Sequence, residues 1–171
     1  MVASAPSNLF SFPNPVNEVA ARLVAGGVVL LTATILVTHQ WWLLVVLAYG
    51  FVARVVTGPT LSPLGQLVTK VIVPGLAIEP RPVPGPPKRF AQGIGATVSL
   101  LACLLHFGFG EDAAALVLVG LIMFFAVLES VFAFCVGCKI FGVLMRNGVI
   151  PEKICLECAD IERRRTEGAR T

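Results

Sequence analysis

Four of the five cysteines fall in two Cys-x-x-Cys pairs, Cys135/Cys138 and Cys155/Cys158, with sixteen residues between the pairs. That spacing fits a four-thiolate metal centre, zinc first and iron or an iron–sulfur cluster second. Four sulfurs about 2.3 Å from one ion make a closed site, which is structural rather than catalytic. The same thiols also suit reversible thiol–disulfide or sulfur-transfer chemistry, which needs a nucleophile held as thiolate, and some are explained equally by packing of a small apolar side chain. Of the two pairs, Cys155/Cys158 has the better electrostatics for a reactive thiol. Gly148 and Pro151 mark a break and a fresh helix start just before it, with Lys153 close by. Cys135 is expected at the far end of a long helix, where the dipole opposes a thiolate and Lys139 offsets only part of the effect. The alternative to the metal site is therefore a thiol–disulfide oxidoreductase or sulfur relay using Cys155 and Cys158.

Other side chains with chemical potential sit in apolar surroundings. Glu129 and Arg54 both fall toward the inner end of hydrophobic segments, so an intramembrane ion pair between them is expected, with Arg22 as another partner for the acid. Lys88 and Arg89 stand at a helix start and form a candidate site for an anion or a lipid headgroup, or act as ordinary positive-inside anchors. His106 is placed near the outer surface, away from Glu129 and the cysteines. Cys103 is read as a packing residue. A phosphate-cradling glycine loop and a serine–histidine–acid set are both missing, and the arginines of the tail lack the interleaved aromatics of a nucleic-acid module.

What must hold these residues is a membrane domain. The 171 residues are 56% hydrophobic and only 13% charged, against roughly 25% charged in soluble domains. Four apolar segments predict an all-α bundle of four transmembrane helices, at about 19–38, 41–57, 90–109 and 113–134. Short links at Thr38–Gln40 and Gly110–Asp112 make each successive pair a helical hairpin. The first helix is expected to start with Asn14 as cap and Pro15 at its first position. The first segment lacks the positive flank of a signal peptide. Between the hairpins, 58–89, Ser62–Val73 has the spacing of a short interfacial helix, and Glu79–Pro87 reads as stiff extended chain that is not helical. Residues 1–134 thus form the membrane domain and 135–171 a Cys-rich helical tail.

All thirteen Lys and Arg residues lie on one side of this topology, which predicts cytoplasmic N- and C-termini. The cysteines then face a reducing compartment, where a structural disulfide is disfavoured. The fourth helix is expected to run on past Cys138 to about Asn147, turn at Gly148–Pro151, and return from Glu152, bringing both cysteine pairs to one height.

The run Gly85-Pro86-Pro87-Lys88-Arg89-Phe90-Ala91-Gln92-Gly93-Ile94-Gly95, with Leu128-Glu129, Phe134-Cys135-Val136-Gly137-Cys138-Lys139-Ile140 and Phe12-Pro13-Asn14-Pro15-Val16-Asn17-Glu18, resembles the bacterial membrane proteins grouped as domain of unknown function 4395. The resemblance implies no assigned activity. It implies company with thioredoxin-like and sulfurtransferase proteins as partners, beside the lipid bilayer itself. The resulting expectation is a membrane-anchored module of thiol or sulfur metabolism with a cytoplasmic four-cysteine metal site.

Overall fold

The computed structural model describes residues 16–76 and 81–149. Asn14, Pro15, Cys155 and Cys158 lie outside them, as does the returning helix expected from Glu152. Four long helices carry the fold: α1 (Glu18–Thr38), α2 (Trp42–Thr57), α5 (Gly85–Cys103, extended by a π-helical turn Leu104–Gly108) and α6 (Asp112–Phe132). The stretches Glu18–Thr38, Gly85–Gly108 and Asp112–Phe132, of 21, 24 and 21 residues, are long and apolar enough to cross a membrane. The 16 residues of α2 rise about 24 Å, short of the about 30 Å of hydrocarbon.

α1 packs chiefly along α6 and α2 along α5, so the two hairpins interlock rather than standing side by side. Ile35, Leu44, Leu47 and Val119 are fully buried between them. The buried hydroxyls of Thr32 and Ser99 donate back to Val28 O and Ala96 O of their own helices, so neither is left unpaired in the core. Leu30, Val37, Val117, Phe124 and Phe132 point outward, leaving an apolar outer surface that suits lipid.

The connecting segment is more regular than its composition implies. Ser62 caps α3 (Pro63–Leu67) through its hydroxyl, and a π-helical turn (Val68–Ile72) and the short α4 (Val73–Gly75) continue it. Its apolar side, with Leu64 and the buried Val68, lies on Ala20 and Val24 of α1. The chain then forms β2 (Pro82–Val83), antiparallel to β1 (Val16–Asn17). Asn17, rather than Asn14, caps α1, accepting from Val19 N at 3.0 Å and from Arg81 N at 3.3 Å.

Two sequence expectations fail here. Pro86 and Pro87 are helical, within the first turn of α5, where a missing N–H removes no intrahelical bond. The third long helix therefore begins at Gly85 instead of Phe90, and Lys88 is drawn into it. The fourth does not continue through the cysteines either. It stops at Phe132, Ala133 turns left-handed at φ 54°, and a separate helix α7 (Val136–Arg146) starts three residues later.

Candidate functional site

The break at Ala133 converts the first cysteine pair from a helix end into a helix start. Leu128 O accepts from the backbone N–H of Ala133 and of Phe134, while the guanidinium of Arg22 donates to Ser130 O and Val131 O at 3.1 Å. A cation on the last carbonyls suits both their unpaired state and the negative end of the dipole. Arg22 thus closes the end of α6 and is not the partner of Glu129. Arg89 does the same for α2, donating from Nε to Val55 O at 2.9 Å.

Cys135 is the N-cap residue of α7, its sulfur accepting from Cys138 N at 3.4 Å. The Cys138 thiol donates to Cys135 Sγ at 2.6 Å. Cys135 is buried and Cys138 half-buried. The dipole and open N–H groups of a helix N-terminus favour an anion at this position. The expectation that a helix dipole opposes a Cys135 thiolate is therefore reversed.

Beside the pair lies an ion pair that the sequence did not suggest. Lys88 Nζ donates to Glu129 Oε1 at 2.6 Å, with side chains only 11% and 16% exposed. Lys88 consequently faces the bundle interior rather than a lipid headgroup. Among the described residues, the partner that Glu129 takes is Lys88 and not Arg54, although Arg54 lines the same cavity as Glu129 and Cys135. Arg54 is 6% exposed, and its guanidinium carbon lies 4.6 Å from the centre of the Phe51 ring.

These groups divide the roles of the two thiols. The hydrogen bond received from Cys138 holds the Cys135 thiol below the ordinary cysteine range, the Lys88 ammonium acts in the same direction, and burial and the Glu129 charge oppose them. Donating that hydrogen bond, together with burial, pushes Cys138 well above the range. Of the two thiols, Cys135 is the one that ionises first and Cys138 the one that keeps its proton.

α7 is held in place from below. Phe141 is 5% exposed and packs on Phe90 with ring centroids 5.6 Å apart. A Cβ on Gly137, between the cysteines, would stand 2.5 Å from Ala91 Cβ and 2.7 Å from Ala91 Cα. Only glycine lets the helix start approach α5 so closely. At the opposite end of the bundle, His106 pairs with Asp112 through Nδ1 at 2.6 Å and stacks on Trp41 at 3.8 Å, away from Glu129 and the cysteines. Cys103 is half-buried in α5, its thiol 3.7 Å from Leu44 O.

The four-cysteine arrangement has only its first half among the described residues. No group of three or more metal-ligating side chains is assembled there.

A family model described as Domain of unknown function (DUF4395) matches residues 16–146. The chain belongs to that family, and the match ends before Cys155, taking in Lys88, Glu129, Cys135 and Cys138. No curated protein and no solved structure matches the chain.

Proposed function

We propose that the protein is a membrane thiol–disulfide oxidoreductase whose working pair is Cys135/Cys138. The observation that carries this reading is the position of Cys135 as N-cap of α7, in thiol–thiol contact with Cys138 and beside the buried Lys88–Glu129 pair. The environment differs for the two sulfurs, and the difference sets a direction of attack. In the oxidised form, the half-buried Cys138 sulfur is the one that an external thiolate reaches. The bond to Cys135 then breaks, and Cys135 leaves as the stabilised thiolate, since a leaving thiol of lower pKa departs faster. The second thiol of the external pair, losing its proton, attacks the external sulfur of the mixed disulfide and expels Cys138, which takes up that proton. The external pair departs oxidised, and Cys135 thiolate and Cys138 thiol remain.

The bundle is read as spanning the bilayer four times, α2 included, with α7 on the cytoplasmic face of a bacterial inner membrane, since the basic side chains gather at that end. Thioredoxin-like or sulfurtransferase proteins are fitting dithiol partners. A zinc or iron clasp with Cys155 and Cys158 is the competing use of the same sulfurs. The redox use asks only that two sulfurs meet, which Cys135 and Cys138 do.

The test equilibrates the full chain in detergent with glutathione buffers of graded potential, traps free thiols, and maps the products by mass spectrometry. A single two-electron transition of Cys135–Cys138 that persists after Cys155→Ser and Cys158→Ser is expected. Thiols at 135 and 138 that stay reduced across the whole range would refute the proposal.

A further inference from the structure

Above the cysteines, a cavity of about 120 Å³ opens between α1, α2, α5 and α6, walled by Val28, Phe51, Ile122 and Phe125. Its floor is polar and includes Arg54, Gln92 and Cys135. Two of these polar groups are unsatisfied: Arg54 Nε and Gln92 Oε1 are buried with no hydrogen-bond partner among the described residues. A buried unpaired donor or acceptor costs about 1–3 kcal/mol, so an open donor and an open acceptor on two residues that line this cavity, and also a second one beside Lys88, call for a ligand that answers both. An apolar cavity of about 150 Å³ takes up benzene, so this one admits the oxygen-bearing edge of a single ring, with the rest of the ring in its open mouth.

We propose that this cavity binds the ring of a lipid-soluble quinone, which reoxidises the Cys135/Cys138 pair. The inference rests on the dithiol reading above and supplies its electron acceptor. A quinone carbonyl accepts from Arg54 Nε–H, and the hydroxyl that it becomes on reduction donates to Gln92 Oε1. The apolar wall takes the ring face, and the ligand reaches the site from the hydrocarbon that surrounds the bundle. Cys135 lines this cavity, so its thiolate faces the ring while Cys138 remains available from outside.

In the reaction, the Cys135 thiolate adds to a ring carbon and forms an S–C bond. The Cys138 sulfur then attacks the Cys135 sulfur, so the S–S bond forms as the S–C bond breaks and its electron pair passes to the ring. The Cys138 proton and one proton from water go to the two ring oxygens. One thiolate, one thiol, one quinone and one proton become one disulfide and one hydroquinone, with two electrons transferred.

The test uses the full chain, reduced and anaerobic in detergent, with tetramethyl-benzoquinone as probe, whose fully substituted ring resists irreversible alkylation. Disulfide formation at Cys135–Cys138 is followed with this quinone and, separately, with the water-soluble oxidant diamide. The wild-type protein is expected to yield one hydroquinone per disulfide. The ratio of quinone rate to diamide rate is expected to fall at least tenfold in Arg54→Gln and in Ala126→Leu, which fills the cavity wall. An unchanged ratio in both variants overturns the quinone site. Binding is read independently in Cys135→Ser protein: the probe should raise its melting temperature, and the absence of any rise, or an equal rise with Arg54→Gln added, also overturns it. Failure of diamide itself to link Cys135 to Cys138 refutes the dithiol reading instead and leaves the binding result to judge the site.

Discussion

Lys88→Met and Glu129→Gln should move the reactivity of Cys135 in opposite directions. In the native site, the ammonium and the carboxylate sit 2.6 Å apart, so the thiolate feels a dipole in which each charge cancels much of the other. Removing Lys88 leaves the carboxylate facing the sulfur uncompensated. A like charge at about 4–6 Å raises an acid's pKa by roughly 1–3 units, or about 1.4–4 kcal/mol. Removing the Glu129 charge leaves the ammonium alone and lowers the Cys135 pKa by a comparable amount. The assay is the pH profile of Cys135 alkylation by iodoacetamide, resolved by peptide mass spectrometry so that the other cysteines do not intrude. Its rate rises with pH as the thiolate forms, with a midpoint in wild type below the ordinary value of about 8.5. The midpoint should rise in Lys88→Met and fall in Glu129→Gln. At a pH below all three midpoints, each unit of upward shift cuts the thiolate fraction tenfold. The greater nucleophilicity of the more basic sulfur recovers about threefold of that, so the net loss in Lys88→Met is about 3-fold to 30-fold. Shifts of the same sign in both variants, or none in either, would refute the electrostatic account. General loosening of the fold cannot produce opposite signs.

Other perturbations follow from the same geometry. Cys138→Ala removes the hydrogen bond that contributes most to the Cys135 thiolate, so the Cys135 midpoint should rise in the same alkylation profile. Gly137→Ala places a methyl group against Ala91 and should destabilise the protein by about 1–3 kcal/mol in detergent unfolding. Adding Ala91→Gly removes the nearest clashing atom but leaves the α5 backbone crowding the new methyl, so it should recover part of that loss. Lys88→Met and Glu129→Gln should each cost about 3–5 kcal/mol, since breaking a buried pair strands the other charge. In thermal unfolding their double variant should lose less than the sum of the two, whereas additive losses would mean that the pair is not coupled.

The apolar segments were legible in the sequence because periodicity and length are written residue by residue in a membrane chain. The turns at Thr38–Gln40 and Gly110–Asp112 were legible from their shortness between apolar segments, and the connecting helix from the helical spacing of Gln66, Thr69 and Lys70 against apolar neighbours. The site was obscured at two joints. Prolines 86 and 87 read as helix breakers, although a first turn tolerates them, and that error of five residues put Lys88 outside the bundle. The joint at Ala133 has neither glycine nor proline to mark it, because an alanine takes the left-handed turn and tertiary contacts hold it there. One signal was present. From Val136 to Arg146 apolar Phe141 and Leu144 alternate with Lys139 and Arg146 at helical spacing, a pattern fit to lie across the bundle end rather than to prolong a span. The partnership of Glu129 with Lys88, rather than Arg54, depended on the first joint and was out of reach until it was corrected.

The most direct test of the central claim is to purify the full chain without chelators or reductants and determine its metal content and its cysteine state together. The account predicts protein without a stoichiometric metal that loses two mass units under mild oxidant, with the new bond mapped between Cys135 and Cys138. About one zinc or iron per chain, lost on replacing any of Cys135, Cys138, Cys155 or Cys158 by serine, would contradict it.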